Sequence, residues 1–225
     1  MPDNREPVVL GWSGGKDSAL ALHALRSDPS FRVEGLITTV TDEFDRISMH
    51  GVRNRLLTIQ ASAVGVHLTE ARIPPGASNA VYEESFKAAL APHLARGVRK
   101  VAFGDLFLAD IRAYRERLLA PLGMTGLFPL WLRDTGALAQ EFIKLGFRAV
   151  LVCVDPTRLD RSFAGRSFDE ELLRDLPPGI DPCGENGEFH TFVTDGPIFT
   201  SPVGYTTGEI VERDGYAFCD LLPGG

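Results

Sequence analysis

The sequence predicts an α/β fold: a Rossmann-like parallel sheet with helices on both faces, plus a smaller C-terminal region with a β-hairpin. Three observations lead there. Short apolar strands alternate with helical stretches over the first hundred or so residues, the signature of βαβ units. The first strand runs straight into a glycine turn and then a helix, in Val8-Val9-Leu10-Gly11-Trp12-Ser13-Gly14-Gly15-Lys16-Asp17-Ser18. From Ile111 the pattern changes, and the chain ends on two strand-like runs around Arg213-Asp214-Gly215.

The elements follow in order. Val8–Leu10 is a short buried strand, and Leu20, Leu22 and Leu25 among alanines form the helix after the glycine turn. Val33–Val40 is a second strand, and Thr41–Met49 is polar and reads as a mobile loop. Val52, Leu56, Leu57, Ile59, Ala63 and Val64 make a helical stripe ended by Gly65. Val66–Ile73 is a third strand, stopped by Pro74-Pro75-Gly76. Tyr82, Phe86, Ala89 and Leu90 mark a helix that runs to Gly97, and Lys100–Asp105 is a strand entering a turn. A charged helix carries Arg112, Arg115 and Arg117, followed by the apolar segment Phe128–Leu132 and a helix over Thr135–Leu145. Arg148–Val154 is a strong strand, Phe168–Leu176 is helical, and Glu209–Glu212 with Tyr216–Leu221 form the hairpin. In open α/β sheets ligands bind beyond the carboxyl ends of the strands. Ser13–Ser18, Thr38–Asp42, Pro74–Ser78 and Gly104–Asp110 are therefore expected to converge on one pocket.

Composition narrows the class. With 225 residues, 44% apolar and 24% charged, the chain reads as an ordinary globular enzyme. The net charge of −7 and the absence of a dense Lys/Arg block argue against nucleic acid as a partner. Cys153, Cys183 and Cys219 are dispersed and form no C-x-x-C pair, so neither a zinc site nor a disulfide framework is expected. Met1–Pro7 lacks the basic start and apolar core of a signal peptide, and no apolar run nears the ~20 residues of a membrane span. A cytoplasmic protein is the expectation. The sequence is compatible with a homodimer.

The glycine turn carries the chemistry. The first amides of a helix have no partner inside it and its dipole favours negative charge, so a strand–glycine–helix junction is an anion site. Gly14 and Gly15 allow close backbone approach, Lys16 adds a full charge, and Ser13 and Ser18 add hydroxyls. The G-x-x-x-x-G-K-[ST] loop is not met, because Asp17 follows the lysine, and G-x-G-x-x-G is absent here. Ser-Gly-Gly-Lys-Asp-Ser instead resembles the pyrophosphate loop of the N-type ATP pyrophosphatases. That resemblance implies that the loop holds the β,γ-pyrophosphate of ATP while a substrate oxygen attacks the α-phosphorus.

A second dense stretch, Asp181-Pro182-Cys183-Gly184-Glu185-Asn186-Gly187-Glu188-Phe189-His190-Thr191, precedes Asp195-Gly196-Pro197. Its two glutamates, three residues apart and flanked by glycines, suit a hard cation or proton transfer from an amine. Residue types alone do not separate the roles of Glu185 and Glu188. Together with the first loop, Phe103-Gly104-Asp105 and Pro129-Leu130-Trp131, in this order, the chain resembles the diphthine–ammonia ligase family from about Val8 to Phe199. The resemblance implies an adenine-nucleotide α-hydrolase fold and an AMP-forming ligase that amidates a carboxylate with ammonia. In that family the carboxylate belongs to diphthine, a modified histidine of a translation elongation factor. It divides the chain into an ATP-binding domain, 1–125, and a C-terminal substrate-binding region, 126–225. Asn186 and His190 depart from the usual Gly-Glu-Gly-Gly-Glu-Tyr/Phe-Glu-Thr, and the C-terminal domains of long eukaryotic members are not seen, which suggests a short prokaryotic branch. Both departures bear on the acceptor, not on the ATP chemistry.

Roles follow. Lys16, with the amides of Gly14 and Gly15, is expected to hold the pyrophosphate, with Ser13 and Ser18 beside it. Asp17 is the expected Mg²⁺ ligand, although a carboxylate at a helix start is also a dipole partner. Thr38 and Thr39 approach adenine and ribose in this fold, or simply reflect strand propensity. Asp105, Glu185 and Glu188 join Lys16 as catalytic candidates, and Arg112, Arg115 and His190 are candidates for holding the substrate. Asp110 reads as a helix start, His50 as a loop histidine, and Phe103, Phe128 and Trp131 as core. Cys183 carries the main alternative, a tRNA sulfurtransferase working through a persulfide, against which the acidic charge argues. A non-catalytic ATP- or AMP-binding protein is the third reading.

Overall fold

Strand β1 (Glu6–Gly11) is the centre of the first sheet. The structure is a computed structural model that describes residues 3–42, 46–47 and 51–224. After β1 come α1 (Lys16–Ser27), β2 (Phe31–Thr41), β3 (Arg46–Ile47), α2 (Asn54–Ala63) and β4 (Leu68–Ile73). Then follow α3 (Asn79–Ala95), β5 (Lys100–Ala102), α4 (Ala109–Leu119) and β6 (Thr125–Leu127). The parallel strands lie in the order β4-β2-β1-β5-β6. Short β3 pairs antiparallel with Val40 and Thr41 of β2, beyond the point where β1 ends. Alternation along β1 feeds both faces. Val8 and Leu10 enter one apolar core and Val9 the other, all three fully buried.

The second half forms α5 (Thr135–Lys144), β7 (Arg148–Val154), α6 (Glu170–Asp175), β8 (Phe189–Asp195), β9 (Tyr205–Arg213) and β10 (Tyr216–Pro223). Its strands build an antiparallel sheet in the order β8-β7-β10-β9. Asp134 caps α5 through the Ala137 amide at 2.7 Å, and Asp169 caps α6 through the Leu172 amide at 2.9 Å. The hairpin turn places Asp214 and Gly215 at φ 52° and 82°, the left-handed pair that a two-residue connection favours. The core under α1 and α2 continues without a break into Val150, Phe189 and Phe192 of the second sheet.

The elements agree with expectation in kind and place, with three differences. β3, β6 and β8 were not foreseen: β3 is two residues inside what reads as a loop, β6 is three residues around a glycine, and β8 lies inside what reads as a motif. Arg148–Val154 is a strand as expected, but it sits in the antiparallel sheet. Pro74–Ser78 does not join the other strand ends, because β4 lies outside β2, two strands from β1. Most of the expected Thr41–Met49 loop, and His50, lie outside the described residues.

One side chain locks the two sheets together. Gln60 of α2, fully buried, accepts from Trp12 Nε1 at 2.8 Å and donates to the carbonyls of Gly14 at 2.9 Å and Val193 at 2.6 Å. Replacing it with an apolar group strands the Trp12 donor and the Val193 carbonyl away from water, at ~1–3 kcal/mol for each group left unsatisfied, while the Gly14 carbonyl keeps the Val193 amide. Gln60→Leu is therefore expected to lower stability in urea unfolding by on the order of 2 kcal/mol or more. A loss below about 1 kcal/mol would show that the two groups find other partners.

Candidate active site

Strand order reverses at β1, with β2 and β4 added on one side and β5 and β6 on the other, and the crevice at that reversal is where an open α/β sheet binds ligands. A cavity of about 500 Å³ opens there. The Ser13–Ser18 turn, Thr38 and Thr39 near the end of β2, and Gly104 and Asp105 after β5 line its floor. Tyr82 and Phe86 of α3 and Arg115 of α4 form one wall. The Cys183–Glu185 turn with His190 and Thr191 of β8 forms the other.

The glycine turn is shaped by close packing. Gly14 has φ 76°, and a Cβ there would sit 2.7 Å from Gln60 Oε1. A Cβ on Gly104 would fall 2.8 Å from the backbone carbon of Asp17, so only glycine lets the β5–α4 segment approach the start of α1. The turn's donors already have partners. The Gly15 amide donates to Ser13 Oγ at 3.2 Å and the Lys16 amide to Thr191 Oγ1 at 3.0 Å. Ser18 Oγ donates to the Gly15 carbonyl at 2.9 Å.

Charge is concentrated under cover. Lys16 is only 2% exposed, and its ammonium donates to Asp17 Oδ2 at 2.8 Å and to the Cys183 carbonyl. Burial opposes its charge, but Asp17 and its neighbours outweigh that and hold its pKa above the ordinary value. Burial likewise raises the Asp17 carboxyl, against the pull of Lys16. Asp17 Oδ1 is buried with no hydrogen-bond partner. Glu185 accepts from the Leu106 amide at 2.9 Å, and burial pushes its pKa up to about 7. Asp105 accepts from Arg115 Nε at 3.2 Å, and the Arg115 guanidinium lies 4.4 Å from the centre of the Phe103 ring. Burial works against the charge of Arg115, but Asp105 and Tyr82 more than offset it and raise its pKa.

A family model described as the diphthamide synthase N-terminal domain matches residues 6–126, more than half of the chain, and one described as the C-terminal domain matches 134–221. The chain belongs to the diphthamide synthase family. Among its relatives, a diphthine–ammonia ligase of Schizosaccharomyces pombe is 30% identical over 125 residues, 54% of this chain and 21% of that protein. The Bos taurus protein of the same name is 32% identical over 120 residues, 51% of this chain and 45% of the relative. The Rattus norvegicus protein is 26% identical over 238 residues, covering 93% of this chain and 86% of its own length. The matched stretch thus spans under half of the first two relatives and most of the third.

Family membership fits the cavity, which brings together Ser13, Gly15, Lys16, Asp17, Ser18, Thr38, Thr39, Asp105, Arg115, Glu185 and His190. Gly14 lies behind it in the same turn. Arg112 and Glu188 are not among its lining residues. Arg112 lies between the Phe128 and Trp131 rings, 4.8 Å from each centre, and pairs with Glu116 at 2.9 Å. Both rings are half-buried, while Phe103 is core. Glu188, 1% exposed, accepts from the amides of Asp181 at 3.2 Å and Asn186 at 3.0 Å. It braces the turn that presents Glu185. Asp110 begins α4, as expected.

Two electrostatic facts bear on the remaining candidates. Burial, with Lys16 nearby, lowers His190 to about 4, so its ring is neutral at pH 7 and carries no charge for an anion. Burial pushes Cys183 up to about 12, and its thiol donates to the Thr135 carbonyl at 3.3 Å. A thiol is not the nucleophile that sulfur transfer needs. The sulfurtransferase reading loses its reactive group.

Gln60, Asp181, Thr191 and Tyr82 were missed from the sequence. Gln60 stands three residues after Leu57 inside an apolar stripe, which is a readable signal of a buried polar bridge. Asp181 accepts from the Cys183 and Glu185 amides at 2.9 and 3.2 Å, an Asx turn before a glycine. The other two depend on tertiary packing.

The raised Glu185 pKa has a thermodynamic sign. The folded state holds a proton that the unfolded state releases at the ordinary carboxyl value of 4.5, so stability falls as pH rises from there to about 7. Glu185→Gln keeps the acceptor for Leu106 and removes the titration. Its expected effect is a higher Tm at pH 8, with stabilisation on the order of 1 kcal/mol after solvent screening, and little change at pH 4.5. An equal shift in Tm at both pH values would contradict the assignment.

Proposed function

We propose that this chain is an ATP-dependent, AMP-forming ligase that activates a carboxylate and amidates it with ammonia. One observation carries the reading: a lysine-bearing glycine turn at the sheet's switch point faces, across one cavity, a carboxyl group whose pKa lies near neutrality. The relatives' name, diphthine–ammonia ligase, supports diphthine as the acceptor.

In this scheme the pyrophosphate end of ATP sits on Ser13–Ser18, and its oxygens displace the Ser13 and Thr191 hydroxyls from the Gly15 and Lys16 amides. The adenosine lies toward Thr38 and Thr39. Lys16 is charged and already desolvated, so it stabilises charge on the departing pyrophosphate without reorganising solvent. A carboxylate oxygen of the acceptor attacks the α-phosphorus, the bond between the α-phosphorus and its bridging oxygen breaks, and pyrophosphate leaves. Ammonia then attacks the acyl carbon, the bond to the AMP oxygen breaks, and Glu185 takes the proton that the nitrogen sheds. A base poised near pH 7 suits that step. Arg115, held by Asp105, contributes a cation for the acceptor carboxylate, and Asp105 orients it. Mg²⁺ fits the turn, because Asp17 Oδ1 is a buried oxygen without a partner and one carboxylate with substrate phosphates can hold this ion. When bound it would neutralise phosphate charge, with Asp17 as its protein ligand. Among the described residues no cluster of three or more His, Cys, Asp or Glu forms a metal cage.

Incubation with ATP, ammonium and diphthine-bearing elongation factor is expected to give AMP and pyrophosphate in equal amounts. Lys16→Ala is expected to lower kcat by ~10²–10³, the usual cost of removing one donor to developing charge. ADP as product, or full activity of the lysine variant, would overturn the scheme.

A further inference from the structure

The antiparallel sheet has two edges, and they are treated differently. The β8 edge is covered: Val193 donates to the Gly14 carbonyl at 2.8 Å, and Thr194 accepts from the Val203 amide at 2.7 Å. The opposite edge is β9, Tyr205–Arg213, nine residues long. Among the described residues only β10 exchanges backbone hydrogen bonds with it. Long bare edges are ordinarily blunted by charged side chains, especially lysine, by proline, by bulges or by brevity. β9 has no lysine and no proline; its charges, Glu209, Glu212 and Arg213, are of both signs, Glu212 pairs with Arg161 at 3.0 Å, and the strand exposes Ile210 (39%) and Val211 (45%), which point to opposite faces.

We infer that β9 is a homodimer seam: two copies pair their β9 strands antiparallel about a two-fold axis at Val211, joining two four-stranded sheets into one. The charges of the strand select both the occupant and the register. With the axis at Val211, Glu209 faces the partner's Arg213 on one face, and Val211 faces its own copy between these two ion pairs. On the other face Ile210 lies against the methylenes of the partner's Glu212. Moving the axis to Glu212 or Glu209 sets like charges directly opposite one another, which is destabilising. Moving it to Ile210 places Glu212 against glycine and leaves Glu209 opposite an apolar valine. In the single chain Arg213 rests over the Phe218 ring of the neighbouring strand, 5.0 Å from its centre, and 3.6 Å from Asp214 Oδ2, and it turns outward from there to meet the partner's Glu209. Backbone pairing and the apolar contacts supply the affinity, and the ion pairs set the register. None of these residues lines the nucleotide cavity, so the seam is independent of the catalytic reading.

Analytical ultracentrifugation of the full chain from about 1 to about 100 µM tests this, a range that resolves a micromolar dimer. The wild type is expected to sediment as a dimer at the upper end. Glu209→Arg and Arg213→Glu, each creating two repulsive pairs per dimer, are expected to weaken association by on the order of tenfold or more. The double variant Glu209→Arg/Arg213→Glu restores opposite charges and is expected to return to within about threefold of wild type. Both positions of charge change are exposed, and unchanged thermal melts would show that the monomer fold is intact. A wild type that stays monomeric throughout would overturn the inference. So would a dimer indifferent to the single reversals, or a double variant no tighter than either single one.

Discussion

The site depends on one constraint: the glycine turn after β1 is held from above by β8. The Val193 amide reaches the Gly14 carbonyl, Thr191 takes the Lys16 amide, and Gln60 ties Gly14 to both Trp12 and Val193. A glycine turn pays the largest entropy cost on ordering, so it keeps one shape only when its surroundings over-determine it. Here the two sheets meet on that turn. The C-terminal half therefore helps to shape the turn, and residues of both matched family regions line the cavity.

The same meeting of sheets creates the electrostatics. Covering the turn buries Lys16 and much of Asp17, and the low-dielectric surroundings strengthen their pairing while making each costly alone. Glu185 is drawn into the same zone, where burial outweighs the Leu106 amide and the charge of Lys16, which favour its ionised form. The result is a cation and a near-neutral carboxyl across a single cavity, which is the separation of acid–base roles that an adenylylation followed by amine attack requires. Stability is given up for that arrangement, as is common at functional sites.

Much of this was legible in the residues. The strand–glycine–helix junction, the βαβ alternation and the hairpin depend on local pattern, and local pattern is what a single sequence displays. The convergence of Ser13–Ser18, Thr38 and Asp105 followed from the rule for strand ends, Glu185 stood out through its own glycine-flanked motif, and Pro74–Ser78 failed the rule because strand order is not local information. Glu188 reads like Glu185 on paper. Only the turn's geometry, which spends Glu188 on the amides of Asp181 and Asn186, separates a bracing carboxylate from one that faces the cavity. Arg112 and Arg115 differ by three positions on one helix, yet one is stacked on surface aromatics and the other lines the site. β8 was hidden because its residues double as a motif.

The central claim is that the turn cradles the two terminal phosphates of ATP and leaves the innermost phosphorus open. Calorimetric titration of pyrophosphate into the protein, alone and saturated with AMP, addresses it without any acceptor. The account requires both to bind at once, with the pyrophosphate Kd changed by no more than about threefold when AMP is present. Displacement of one by the other, or no pyrophosphate binding at all, would contradict it.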